Sequence, residues 1–169
     1  MPLPVAHGLV GASCVAALVP RVDKIEYRVL LVAGALVANA PDLDFSLSFL
    51  TGSRGWHRGF THSLAFALAA SLCLLLTLGR RRARAAAALG LAYTSHALLD
   101  FATTKEGGGL ELLWPFTNER FGLRWFGLSE LPSRLPPAVI LKFLCVECLL
   151  FAPPLVLLLW WRLRMAQRP

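Results

Sequence analysis

Residues 63–84 read SLAFALAASLCLLLTLGRRRAR: sixteen positions with almost nothing polar, then a glycine, then four arginines within five residues. An apolar run of this length closed by clustered cations is the pattern of a helix that enters a bilayer and stops at the headgroups. Four further apolar segments flank it, at about Val5–Pro20, Val29–Ala40, Ala85–Ala102 and Ala138–Trp161. Over all 169 residues the hydrophobic fraction is 56% and only 16% are charged, where a soluble domain carries about 25%. Mean hydropathy is +0.59. Open strand edges are not tolerated in lipid, so the spans are expected to be helices. The expected fold is one all-α integral membrane domain over residues 1–169, a polytopic bundle of about five short transmembrane helices.

The cations predict an orientation. Arg21, Lys24 and Arg28 separate the first two segments, Arg80, Arg81, Arg82 and Arg84 the third and fourth, and Arg162, Arg164 and Arg168 follow the last. If every segment crosses once, these ten of the 17 basic residues share one side, which is cytoplasmic by the positive-inside rule. The N-terminus is then outside and the C-terminus inside. The other side holds residues 43–62 and a long extracytoplasmic loop at about 103–137, with Gly107-Gly108-Gly109, Trp114, Trp125 and Pro132, long enough to cover a site. The formal charge of +7 follows from this topology, and nucleic-acid binding is not expected. The opening MPLPVAHG has no basic stretch and does not read as a cleaved signal peptide. Cys14, Cys73, Cys145 and Cys148 lie in apolar segments and do not read as a disulfide framework; Cys145 and Cys148, a CxxC inside the last segment, are expected to be a packed, inert pair.

All four histidines and three of the four aspartates fall at the ends that this topology places outside. His7 opens segment one. Asp42 and Asp44 lie in Pro41-Asp42-Leu43-Asp44, on a proline-broken helix end. His57 and His62 flank a turn with Gly59 before segment three. His96 and Asp100 are four apart, on one face of a helix. Thr61 and Ser63 are placed to cap the third helix and to support ligands. Mixed imidazole and carboxylate donors suit Zn, with Mn or Fe as alternatives. The expected metal set is His7, Asp42, Asp44, His57, His62, His96 and Asp100. Seven donors exceed the four of one tetrahedral zinc, so one or two divalent ions fit. Two such ions activate water and stabilise a leaving oxygen. Arg58, between two candidate ligands, suits an anionic phosphoryl oxygen; it and Asp42 are the candidate catalytic residues. Glu147 is a minor candidate facing the bundle interior, and Lys142 is poorly spaced to pair with it.

Taken in order, His7, Pro41-Asp42-Leu43-Asp44, His57-Arg58-Gly59-Phe60-Thr61-His62-Ser63 and Ser95-His96-Ala97-Leu98-Leu99-Asp100 resemble the predicted membrane-bound metal-dependent hydrolases, the YdjM-like family of bacterial and archaeal membrane proteins. The resemblance covers roughly residues 1–120, and the last segment carries no matching motif. It implies a hydrolase of the cytoplasmic membrane with these histidines and aspartates as ligands. More loosely, the order of ligands is similar to zinc-dependent phospholipase C and its nuclease relatives, which points toward phosphoesters and lipid substrates. A transporter or channel with a metal site, and a non-catalytic protein with a structural metal, are the alternative expectations.

Overall fold

The computed structural model describes residues 2–20, 23–104, 108–123 and 136–166; these are mainly helical, with turns and an isolated backbone bridge between Leu110 and Phe121 in the stretch after the fifth helix. Arg21, Gly107, Trp125, Pro132 and Arg168 lie outside the described residues. The described residues form six α-helices: α1 (Pro4–Leu18), α2 (Lys24–Val37), α3 (Asp44–Thr51), α4 (Leu64–Leu78), α5 (Ala83–Thr103) and α6 (Pro137–Ala166). Five match the apolar segments. The addition is α3, a short helix following the 3-10 turn Ala40–Leu43 and ended by Gly52 at φ 67°.

The ends are set by local chemistry. Asp23 accepts hydrogen bonds from the amides of Ile25 and Glu26 and starts α2. Ser63 does the same for α4 through the amide of Phe66. Gly79 at φ 74° ends α4 in a backbone region that L-residues avoid, and a 3-10 turn of Arg80–Arg82 then leads into α5.

Small residues let the helices approach. α1 packs on α2, α5 and α6, and α4 packs on α5. At the α1–α2 crossing Gly11 faces Gly34; a Cβ on Gly34 would lie 2.7 Å from the carbonyl oxygen of Gly11. At the α4–α5 crossing Gly90 sits against Ser71. Such contacts hold helices together where lipid removes the hydrophobic driving force. Val15, Val19, Tyr27, Ala85, Ala88 and Leu89 form a buried apolar cluster across α1, α2 and α5.

α6 runs parallel to α1. Glu147 accepts from the amides of Leu3 and Ala6 at one end of α1, and Arg162 donates to the carbonyls of Ala16 and Ala17 at the other. A carboxylate at the helix N-terminus and a guanidinium at the C-terminus both oppose the macrodipole.

Among the described residues one helix, Pro137–Met165 within α6, is by itself long and apolar enough to cross a membrane. The count reaches three if α2 with the segment Ala40–Thr51, bent by 51°, and α4 with Arg80–Thr103, bent by 115°, each make one span. Five separate crossings would ask short elements to span a core of about 30 Å. α1 has 15 residues and α2 has 14.

Candidate metal centre

The site forms where four helix ends meet: the start of α1, the turn after α2, the turn before α4 and the last turns of α5. His7, His62, His96 and Asp100 have fully buried side chains, while Asp42 is 15% exposed. The geometry divides the seven candidate ligands into three overlapping groups: His7, His96 and Asp100; Asp42, His62 and His96; and Asp42, Asp44 and His57.

The middle of the cluster is the most revealing part. Nε2 of His62 and Nε2 of His96 are 3.1 Å apart. Nδ1 of His96 is 2.7 Å from the carbonyl oxygen of Ala38, which can only accept, so Nδ1 carries the proton and Nε2 of neutral His96 presents a lone pair. The hydroxyl of Thr61 donates to Oδ2 of Asp44 at 2.8 Å and stands 3.0 Å from Nδ1 of His62, where it accepts. Nδ1 of His62 is thereby a donor too, and its Nε2 faces that of His96. Such an arrangement holds together only with a cation, a proton or a metal, between the two nitrogens.

Two carboxylates complete the shape. Oδ1 of Asp42 is 3.6 Å from Nε2 of His62 and 3.4 Å from Nε2 of His96, and Oδ2 of Asp100 is 3.9 Å from both. Four donors around one tetrahedral zinc, at bond lengths of 2.0–2.1 Å, stand about 3.3 Å from one another. The two Nε2 atoms and Oδ1 of Asp42, 3.1, 3.4 and 3.6 Å from one another, come close to that spacing, and Oδ2 of Asp100 stands farther out. Oδ1 of Asp42, both oxygens of Asp100 and both ring nitrogens of His7 are buried with no hydrogen-bond partner among the described residues. Buried polar atoms are rarely left so. The donor set therefore fits a divalent cation.

His7 extends the group. Its ring stacks on that of His96 with centroids 3.9 Å apart, and Nε2 is 3.5 Å from Oδ1 of Asp100. Asp44 differs from Asp42. It accepts from the amide of Arg58 at 3.1 Å, from Thr61, and from Nδ1 of His57 at 2.9 Å, so protein donors already occupy it. His57, stacked on Phe45, lies at the edge of the site with a side chain 17% exposed. In the turn before α4, burial works against the charge on His62, but the carboxylates of Asp42, Asp44 and Asp100 outweigh it and push its pKa up to about 9.

Arg58 is buried and holds φ at 61°, a strained conformation for a residue with a side chain. Its Nε lies 3.9 Å from Oδ2 of Asp100. The loop after α5 supports it: the amide of Glu111 donates to the carbonyl of Arg58, and the amide of Leu64 to that of Leu112. Sequence reading missed Ala38, whose role is that of a backbone carbonyl, and Phe45, which lies on a helix too short to register. It placed Ser63 correctly as a cap. Thr61 serves the ligands instead of capping. Glu147 is buried as expected, but it caps α1 one turn before His7. The four cysteines are free, and Cys145 and Cys148, expected to be packed, are exposed on α6.

Composition, helical architecture and the Asp/His cluster at the helix ends together define a helical membrane protein with a potential metal site. The chain belongs to the YdjM inner membrane protein family, whose profile matches residues 1–168. It is similar to the inner membrane protein YbcI of Escherichia coli (strain K12), 38% identical over 152 residues that make up 80% of this chain and 85% of that protein. No solved structure matches the chain.

Proposed function

We propose that this protein is a membrane-bound metal-dependent hydrolase that cleaves a phosphoester, with a phospholipid as the favoured substrate class. The observation that carries this reading is the opposed pair of Nε2 atoms of His62 and His96, bracketed by Asp42 and Asp100. His62, His96, Asp42 and Asp100 hold the first divalent cation, zinc by preference, with manganese or iron as alternatives. His7, beside Asp100, and His57, beside Asp42, enlarge the site toward a second. A cation so held supplies Lewis-acid chemistry, lowering the pKa of water and polarising a phosphoryl oxygen.

The chain's own residues do the rest. Asp42 stands where the site meets solvent and takes the proton of the attacking water. Arg58 neutralises an anionic phosphoryl oxygen, with its strained backbone held by Asp44 and Glu111. Asp44 fixes the rings of His57 and His62 from outside the coordination sphere.

The site lies at the bundle end opposite Arg80, Arg81, Arg82, Arg84 and Arg162, and α6 is parallel to α1, as an odd number of crossings between them, here α2, α4 and α5, requires. This supports five crossings, with the site on the extracytoplasmic side. The apolar cluster between the two ends offers no polar path and weighs against a transporter or channel.

The test is turnover. Detergent-purified protein loaded with zinc, manganese or iron is screened against phospholipids and simple phosphodiesters. Metal-dependent cleavage, reduced about 100-fold or more in Asp42→Asn, is expected. Absence of turnover across the panel, with metal bound, overturns the reading. One observation favours a second reading: two imidazoles and two carboxylates gather at the centre of the site, and four protein donors are the number a structural zinc uses. In that case chelation unfolds the protein and no substrate is turned over.

A further inference from the structure

A cavity of about 530 Å³ opens at the far end of the bundle from the Asp/His cluster, between the end of α1, the start of α2 and the turn joining α4 to α5. Its inner wall is apolar and buried, built from Val19, Tyr27 and Ala85. Its rim carries Arg80, Arg81, Arg82 and Arg84. The two nearby carboxylates are already engaged: Asp23 caps α2, and Glu26 lies 3.3 Å from Arg82. Among the described residues, Arg80, Arg81 and Arg84 pair with no carboxylate. Orienting the chain requires only that cations lie on this side. It does not require them to ring a cavity with greasy walls.

We infer that this cavity binds the phosphate headgroup of an anionic phospholipid, with the arginine rim holding the phosphate and the apolar wall taking the glycerol and the first acyl carbons. Guanidinium groups match phosphate oxygens in pairs, and basic pockets at helix ends are where anionic headgroups seat. A soluble phosphate would use the rim but leave the apolar wall unfilled. The site is separate from the metal centre and does not depend on the hydrolase reading.

The experiment is native mass spectrometry of the full chain in detergent, titrated with phosphatidylglycerol, phosphatidylcholine or inorganic phosphate. Two variants accompany it. Arg80→Gln/Arg81→Gln/Arg84→Gln removes the unpaired rim, and Ala83→Trp obstructs the mouth while keeping every arginine. Retention of phosphatidylglycerol over phosphatidylcholine by about tenfold is expected, with weak phosphate binding and loss of the preference in both variants. Equal retention of the two lipids overturns the proposal. So does phosphate binding without lipid preference, or a preference that survives in Ala83→Trp, since surface charge alone would then explain it.

Discussion

Nε2 of His62 and Nε2 of His96 face each other at 3.1 Å while the Nδ1 atoms of both rings are committed as donors, to Thr61 and to Ala38. Two imidazoles placed in this way repel unless a cation lies between them. The fold supplies the two rings from different places, one from the turn before α4 and one from α5, and two carboxylates, Asp42 from the turn after α2 and Asp100 one turn beyond His96 on α5. Convergence of this kind is a tertiary property, and it makes the behaviour of each ligand separately testable.

Asp42 and Asp44 should behave differently on substitution. Asp42→Asn removes an oxygen that faces both imidazoles and should lower the number of tightly bound ions. Asp44→Asn should keep the stoichiometry but weaken affinity by about 10–100-fold, the usual effect of losing an outer partner of a ligand. Metal titration calorimetry separates the two, and identical effects would contradict the assignment.

Metal binding should release a proton at neutral pH. In the metal-free protein His62 has its pKa raised from 6.5 to about 9, so at pH 7 it is protonated. That charge contributes stability fully below the unfolded value of 6.5, and the contribution is lost as pH rises through about 9. A metal ion must displace the proton, so apparent affinity should climb with pH by about tenfold per unit until His62 deprotonates. Calorimetry in buffers of different ionisation enthalpy counts the proton. An affinity flat across this range would count against it.

Glu147 should matter for stability more than a lone carboxylate on a lipid-facing helix would. It is 2% exposed and supplies acceptors to Leu3 and Ala6 where α1 has no cap of its own. Glu147→Ala should cost about 0.5–2 kcal/mol, the range for losing a helix cap, and should loosen His7 one turn further on. Glu147→Gln, which keeps one of the two acceptors and turns a donor toward the other amide, should recover only part of it. Thermal unfolding in detergent is the measurement.

Gly11→Leu should part α1 from α2. The added side chain meets the carbonyl of Gly34 and the side chain of Ala38, and the carbonyl of Ala38 holds His96. Overpacking of this kind costs about 1–3 kcal/mol. Metal affinity should fall together with melting temperature, whereas Leu36→Ala, at an exposed position of α2, should move neither.

Much of this architecture is legible in the sequence, because apolar blocks and arginine clusters are one-dimensional signals. Segments at Val5–Pro20 and Ser63–Gly79 became α1 and α4 with ends shifted by a residue or two. The ligands were readable because histidine and aspartate are rare at membrane depth, and here they gather at one set of helix ends. What could not be read was the division of labour. Asp42 and Asp44 differ by which donors surround them, and those donors come from Arg58, Thr61 and His57. The role of Ala38 is invisible because it is a carbonyl, and that of Glu147 because its partners are 144 and 141 residues away.

The most direct test of the central claim is the metal content of the protein itself. Wild-type protein loaded with zinc and exhaustively exchanged into metal-free buffer should retain at least about one ion per chain by elemental mass spectrometry, and His62→Ala/His96→Ala should retain almost none while staying folded enough to elute as wild type does. A wild-type protein that keeps no zinc, manganese or iron, or a double variant that keeps as much as wild type, would contradict the account.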